Sequence, residues 1–531
     1  MSTQTKMPTL ASQQLHADRL IVATNRGPVE YALSQDNELQ PHRSAGGLVT
    51  ALLESGKRLE VTWVAMAMTE GDRVAVNEAR QHAGRLPSPL HGQKMQLRYV
   101  AVPKTVYAKY YEKISNRILW FLQHYMHDPG ADAPARWLQD AWTNGYTVAN
   151  KTIAEAVNRE IEREEGSVVV MLHDYHLYLA PLLIRQRHPE VLIHQFIHIP
   201  WPDVRCWHFL PSNIVQDIYR GLVGNDLIGF QTQRDACNFL EGARTLLEDA
   251  EVDVEEGTVA WQGRLTRARA YPISVSVEGE RRLVRSAAGR RATEQIRPLL
   301  CEKTIMRVDR IEPTKNIVRG FQAYAQVLDD HPELHGKVVF LAFLVPSRQA
   351  IPQYKRYAEE VLKIIENINA NYGTDEWRPI QALWGNDRTR ALAALQFYEV
   401  LLVNPILDGM NLVAKEGLVV NQRDGVLVLS RTAGAFQQLA KASIPTSPTD
   451  VAETAQALYT ALTLAPADRR AKAALGRQMV ERDDLHAWLT RQIHDMNAVL
   501  KKRAFSLLDE PTSSLSLIEE PDPPALTARV I

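Results

Sequence analysis

Short apolar runs rich in β-branched residues alternate with longer helical patterns along most of the chain, and that alternation leaves few folds open. RLIVAT (19–24), SVVVML (167–172), VLIHQFIH (191–198) and DLIGFQ (226–231) read as strands, with loops or helical patterns between them. The pattern restarts after YPISVSV (271–277) with TIMRVD, KVVFLAFLV, IQALW, EVLLVNP and GVLVLS. Strand, helix, strand, helix is the pattern of parallel sheets covered by helices, so the expected fold class is α/β. At 531 residues the chain exceeds one ordinary domain, and the restart divides it into two halves of about 200–250 residues. The spans expected are 1–18 as a disordered N-terminal segment, 19–277 and 278–484 as two α/β domains, 485–503 as a last helix, and 504–531 as a disordered tail. Leu485, Trp488, Leu489, Ile493 and Met496 recur at helical spacing, whereas the tail is rich in Pro, Ser and acid.

Charge removes several function classes. Lys and Arg total 61 against 62 acidic residues, a balance unsuited to coating a polyanion, so neither nucleic acid nor an anionic membrane is an expected partner. Cys206, Cys237 and Cys301 are far apart, odd in number and form no C-x-x-C pair, which points to a reducing cytoplasm. The first twenty residues are polar, without the apolar stretch of a signal peptide. The most apolar run, VVFLAFLV, falls far short of the ~18–20 residues that span a bilayer and reads as a buried strand.

In open parallel sheets ligands sit beyond the carboxyl ends of the strands, so residues just after each strand carry the information. Arg26 follows the first strand, and a polar loop over 32–43 leads to SAGGL, where Gly46 and Gly47 could bring backbone N–H groups to an anion or simply make a turn. Asp174 follows SVVVMLH; its carboxylate suits sugar hydroxyls, and a helix N-cap explains it equally well. His194 and His198 have chelating spacing only on a helix; on a strand four residues span about 13 Å, so no metal site is expected there. His198 itself sits at a strand end. Arg348, after KVVFLAFLVPS, has the fork that grips phosphate, although a lone arginine is more often a surface residue. Asp408–Gly409 makes a turn, and Glu416 follows eight residues on, which would set the two carboxylates on one helix face. In RVDRIEPTKNIVRG (307–320), Pro313 suits a first helical turn, while Ile317, Phe321, Tyr324 and Leu328 mark a buried face. Arg310 and Lys315 then stand near a helix N-terminus, which disfavours cations. Two cations held against that preference suggest a bound anion, for which a diphosphate is a reasonable size; ordinary surface charge is the alternative.

Taken in order, TNRGP with SAGGL, YYEKISNRILW, HDYHL, HIPWP, DLIGFQT, RVDRIEPTKN, VPSR, LDGMNLVAKEG and GVLVLSRTAG resemble the trehalose-6-phosphate synthase family over roughly residues 19–500. That family consists of retaining glycosyltransferases of the GT-B fold: two Rossmann-like domains with parallel sheets facing a central cleft. The resemblance implies transfer of glucose from a nucleotide-glucose to glucose-6-phosphate, with UDP-glucose as donor and GDP- or ADP-glucose left open. It implies that Arg310 and Lys315 hold the donor diphosphate and stabilise its departure. Asp408 and Gly409 would meet the donor sugar, Asn411 and Leu412 the phosphates, and Glu416 the ribose, with Gly46 and Gly47 adding N–H contacts. His198 and Asp174 would meet the reacting sugars. Arg26, Tyr111, Trp120 and Arg348 would cage the acceptor phosphate; Tyr111 and Trp120 read without the resemblance as core aromatics. No cofactor and no metal are implied. The partners implied are small molecules, and dimers and tetramers are common in the family. The final helix is expected to cross back to the N-terminal domain, and the short tail to leave the product phosphorylated. EPTKN stands where many members have DYSKG, Leu407 replaces a common arginine, and PISVS stands where PIGI is usual. The alternatives are a relative with another phosphorylated acceptor, such as glycerol-3-phosphate or a cyclitol phosphate, and a catalytically silent regulatory member.

Overall fold

Two large sheets form the framework of the computed structural model, which describes residues 14–36, 38–43, 60–90, 95–126 and 135–509. The first sheet has ten strands, in the order Glu251–Asp253, Thr258–Trp261, Arg264–Ala270, Leu227–Phe230, Leu192–Phe196, Val168–His173, Arg19–Thr24, Glu60–Met66, Met95–Val100 and Leu86–Pro87. The second has six parallel strands, Ile380–Trp384, Val338–Val345, Lys303–Arg310, Val400–Val403, Val426–Ser430 and Ser443–Thr446. Counted along the chain, the second sheet and the inner strands of the first share the doubly wound order 3-2-1-4-5-6. In both, the order reverses beside the first strand, where neighbouring connections leave in opposite directions and open a crevice. The reversal lies between Arg19–Thr24 and Val168–His173 in one sheet and between Lys303–Arg310 and Val400–Val403 in the other. Central strands covered on both faces must be apolar throughout. Val338 to Leu344 meet that demand, none being more than 4% exposed.

Some expected spans change. The stretch 32–43 is largely a hairpin, Val29–Leu33 paired antiparallel with Leu39–Arg43, rather than an open loop. Part of the segment expected to be disordered is packed: Leu15 is buried in the core, and the His16 amide donates to Asn497 Oδ1 at 2.8 Å. The last helix continues past 503 to Asp509, so helix replaces the start of the expected tail. No helix among the described residues is long and apolar enough to cross a membrane.

That last helix lies against the first domain. The contact centres on buried Trp488, whose indole N–H donates to Tyr271 O at 3.1 Å while its ring meets Phe196 edge-on at 5.2 Å. Gln492 bonds the buried ring of His194 at 2.8 Å, and the Tyr271 hydroxyl donates to Asp495 at 2.5 Å. The connection between the domains is pinned from three sides. Ile273 N–H donates to Gln231 Oε1 of the first domain at 3.0 Å, and Val275 O accepts from Leu485 N–H at 3.0 Å. Ile273 O accepts from Lys415 Nζ of the second domain at 2.7 Å.

Lys415 is fully buried, and burial, with Arg491 adding to it against Asp483, brings its ammonium down to about 7. Between pH 7 and the ordinary lysine value, the unfolded chain holds this proton and the folded chain does not. Stability therefore rises with pH across that window, by at most about 1.4 kcal/mol per unit for this group, and the gain is lost as pH falls towards 7. Lys415→Met should flatten the rise, as read by denaturant unfolding at pH 7, 8 and 9.

Candidate active site

The strand Lys303–Arg310 runs on well past TIM, so Arg310 is its last residue rather than part of a helix start. Pro313–Lys315 is a single tight turn, and Asn316 takes a left-handed φ of 56° before the helix Ile317–Asp330 begins. Asn316 is held there by Nδ2 bonds to Asn404 O at 3.0 Å and Pro448 O at 2.6 Å. Ile317, Phe321, Tyr324 and Leu328 are the buried face, as their spacing requires. Arg307, absent from the sequence-based site, is fully buried and braces the loop from inside. Its guanidinium donates to Asp309 at 2.8 and 3.0 Å, to Lys315 O at 3.0 Å and to Ile317 O at 3.3 Å. Successive strand residues of one face are two apart, and that spacing of Arg307 and Asp309 was the available signal.

Glu312 gives the EP departure a physical meaning. The side chain is fully buried, and its Oε1 lies 3.2 Å from Arg310 Nη1 and 3.4 Å from Arg348 Nη1. It also accepts the Ser347 hydroxyl at 2.9 Å. Burial alone would push this carboxyl up; Arg310, Arg348 and Lys315 outweigh it and hold it at about 2. Arg348 has φ 46° and a largely buried side chain, bonded to Tyr354 OH at 2.7 Å and across the cleft to Tyr175 OH at 3.2 Å. Both arginines lie over Trp120 of the first domain, Arg348 at 4.3 Å and Arg310 at 5.8 Å from the ring centre.

The second cation, Lys315, forms an ion pair with Asp408, to which Asn411 Nδ2 also donates at 3.2 Å. Burial raises the Asp408 carboxyl, but Lys315, then His124 and Arg310, bring it below the ordinary value. The expectation that Asp408 and Glu416 share a helix face does not hold. Asn411, at φ 74°, turns the chain before the helix Leu412–Val420, so Asp408 lies outside it. Asp408 faces Lys315, whereas Glu416 faces Arg388 at 3.5 Å, and Glu280 shares that guanidinium at 2.5 Å. Burial raises both carboxyls, Glu280 to about 7 with Glu416 repulsion adding to the effect. Neither Glu280 nor Arg388 stood out in the sequence, because their pairing joins segments 108 residues apart. Gly409 marks a close approach of the two domains. A Cβ there would stand 2.2 Å from His198 O.

On the first domain, Asp174 follows its strand at the switch point with φ 72° and ψ 176°. That is a strained conformation for a residue with a side chain, and its side chain makes no helix cap. It is fixed by the Asp174 amide donating to Phe196 O at 2.7 Å and by the His198 amide donating to Asp174 Oδ1 at 3.3 Å. Burial raises the Asp174 carboxyl to about 6, against hydrogen bonds from the Tyr175 and His198 amides and the charges of Arg348 and Arg310. His198 contacts His173, ring nitrogen to ring nitrogen, at 3.3 Å, and burial lowers it to about 4, so it is neutral. Trp120 follows a π-helical segment, Ala108–Leu119, its amide donating to Ser115 O five residues back. Such wide turns recur at functional sites. Its indole Nε1 is buried and finds no hydrogen-bond partner among the described residues. Tyr111 stacks on Tyr107 at 5.4 Å and on His176 at 5.7 Å.

Most of the expected residues therefore converge on one cleft. Arg310, Lys315, Asp408, Gly409 and Asn411 from one domain meet Trp120, Asp174 and His198 from the other. Leu412 opens the helix that carries Glu416, set to one side with Arg388. Arg26 is exposed, 3.7 Å from Glu30, and its charge acts on Tyr107, which stacks on Tyr111. Gly46 and Gly47 lie outside the described residues. The arrangement offers two cationic centres, Arg310 with Lys315 and Arg348, separated by one buried carboxylate, with neutral imidazoles and an ionisable aspartate between the sheets.

The profile of glycosyltransferase family 20 matches residues 18–498. An alpha,alpha-trehalose-phosphate synthase [UDP-forming] of Aspergillus fumigatus is 31% identical over 87% of this chain and 87% of its own. A bifunctional trehalose-6-phosphate synthase/phosphatase of Thermoproteus tenax is 31% identical over 94% of this chain and 66% of its own. The chain spans about half to two thirds of the length of the first curated relatives it matches. Among solved structures, a UDP-forming alpha,alpha-trehalose-phosphate synthase of Burkholderia xenovorans in complex with glucose-6-phosphate superposes with a TM-score of 0.74 at 26% identity, covering 90% of this chain and all of that one, 100%.

Proposed function

The chain belongs to glycosyltransferase family 20 and has the GT-B fold, and from that premise we propose that it is an alpha,alpha-trehalose-6-phosphate synthase. It transfers glucose from a nucleotide-glucose, UDP-glucose foremost, to glucose-6-phosphate with retention of configuration. The observation that carries the reading is the pair of cationic centres at the domain interface, which suits one substrate with a diphosphate and another with a phosphate. The UDP-forming relatives, one of them solved with glucose-6-phosphate, support the identity of both.

In this reading the donor diphosphate lies on Arg310 and Lys315, near the N-terminal amides of the helix that starts at Leu412. Those fixed positive charges stabilise the negative charge that develops as the nucleotide leaves. Lys315 is preset by Asp408, which turns to the donor sugar, and Glu416 takes the ribose hydroxyls. The acceptor phosphate rests on Arg348 and Tyr111 and receives the free indole N–H of Trp120, with Arg26 as the fourth member of the cage. His198, neutral, and Asp174 hold the sugar hydroxyls. The acceptor hydroxyl attacks from the face the nucleotide leaves, and the departing phosphate takes its proton. Closure of the two domains excludes water. The reading calls for substrates only, without a cofactor.

Asp174 sets a pH limb. Its carboxyl titrates near 6, so it is charged above that value and loses charge as pH falls through it. The parent enzyme should lose activity below about pH 6 as one proton is taken up, and Asp174→Asn, though slower, should lack that limb in a pH–kcat/KM profile. Nucleotide release from UDP-, GDP- and ADP-glucose, with and without glucose-6-phosphate, tests the function. Release that depends on glucose-6-phosphate is expected. Release only with glycerol-3-phosphate or a cyclitol phosphate, or none with any donor, would reject it.

A further inference from the structure

Glu312 lies where the two phosphate sites meet and touches the arginine of each. Its Oε1 is 3.2 Å from Arg310 Nη1 and 3.4 Å from Arg348 Nη1, and the Ser347 hydroxyl fixes it at 2.9 Å. The side chain is 0% exposed, and Oε2 finds no hydrogen-bond partner among the described residues. Trp120 underlies both guanidinium groups. As a phosphate ligand this carboxylate would be counterproductive, because it repels each substrate. What a buried anion between two arginines can do is hold two like charges side by side, each at a fixed angle, before substrate arrives.

We propose that Glu312 is a positioning residue for the transfer, a shared counter-ion that aims Arg310 at the donor diphosphate and Arg348 at the acceptor phosphate. It thereby links the two half-sites through one carboxylate oxygen. The inference rests on the transfer reading above and goes further by assigning work to a residue that touches neither substrate. It carries a specific signature. Glu312→Gln keeps the shape and removes the charge, so the site becomes more positive while the two arginines lose their common anchor. Affinity for phosphates should hold or tighten, and turnover should fall.

The test is kinetics with UDP-glucose and glucose-6-phosphate together with calorimetric binding of UDP, on the parent, Glu312→Gln and Glu312→Asp. Expected is a kcat at least about tenfold lower in Glu312→Gln, with UDP affinity unchanged or tighter, and partial recovery in Glu312→Asp, which keeps the charge. A kcat within about threefold of the parent, or UDP affinity that weakens in step with kcat, overturns the proposal. Should Glu312→Gln fail to fold, Ser347→Ala reads the same split, because it frees Oε1 without burying a new group. A lower kcat at unchanged UDP affinity then supports the role, and an unchanged kcat overturns it. A parent enzyme with no glucose-6-phosphate-dependent turnover would instead defeat the transfer reading, so the two failures are distinguishable.

Discussion

Arg310→Ala is expected to lower kcat by about 10²–10³-fold, the loss seen when a preorganised donor to a developing anion is removed, while leaving the fold intact. The Arg310 side chain is 47% exposed and ends its strand, so truncation opens no cavity in the core. Glu312 keeps Arg348 and Ser347 as partners. Lys315 makes the contrast. Its side chain is 13% exposed and pairs with Asp408, itself only 17% exposed, so Lys315→Ala strands a largely buried carboxylate and should destabilise the second domain as well as slow the reaction. Steady-state kinetics beside thermal melts check both. Near-parent turnover in Arg310→Ala would remove it from the site.

The second large effect is expected from Gly409→Ala. The added methyl would stand 2.2 Å from His198 O and 3.2 Å from His198 C. Its neighbours there are backbone atoms of the other domain, which cannot swing aside as a side chain would. Each domain can still fold, because the clash arises only where they meet. The domains are then held apart, and a displacement of about 1 Å between donor and acceptor costs on the order of 10²-fold in turnover. Donor binding to the second domain should survive, so UDP affinity measured by calorimetry should change far less than kcat. Parent-like turnover would show that this contact is not part of the closed, reactive state.

Both effects come from the ends of strands, and strand ends were what the sequence made readable. A parallel strand buried on both faces has to be an unbroken apolar run, so the core strands and the residues following them stood out. Arg310, Arg348, Asp174 and Asp408 were reached that way. Met95–Val100 (MQLRYV), interrupted by Gln96 and Arg98, has no such run and escaped notice, whereas Glu60–Met66 was missed although Trp63–Met66 is apolar. Helix counting failed at Asp408 and Glu416 because Asn411 adopts a left-handed φ, a backbone choice that leaves no periodic trace. Arg307, Glu280, Arg388 and the role of Glu312 depend on burial and on partners brought together by the fold. The Pro that follows Glu312 drew the eye as a helix signal, whereas the carboxylate before it holds two arginines.

The central claim is that the two cationic centres bring a nucleotide-glucose and glucose-6-phosphate together for transfer with retention. The most direct measurement is a ¹³C NMR spectrum of the product made from UDP-glucose labelled at the anomeric carbon and unlabelled glucose-6-phosphate. The account predicts a phosphorylated, non-reducing disaccharide with the labelled carbon in the α configuration. A β-configured labelled carbon, a product that keeps a reducing end, or no disaccharide at all would contradict it.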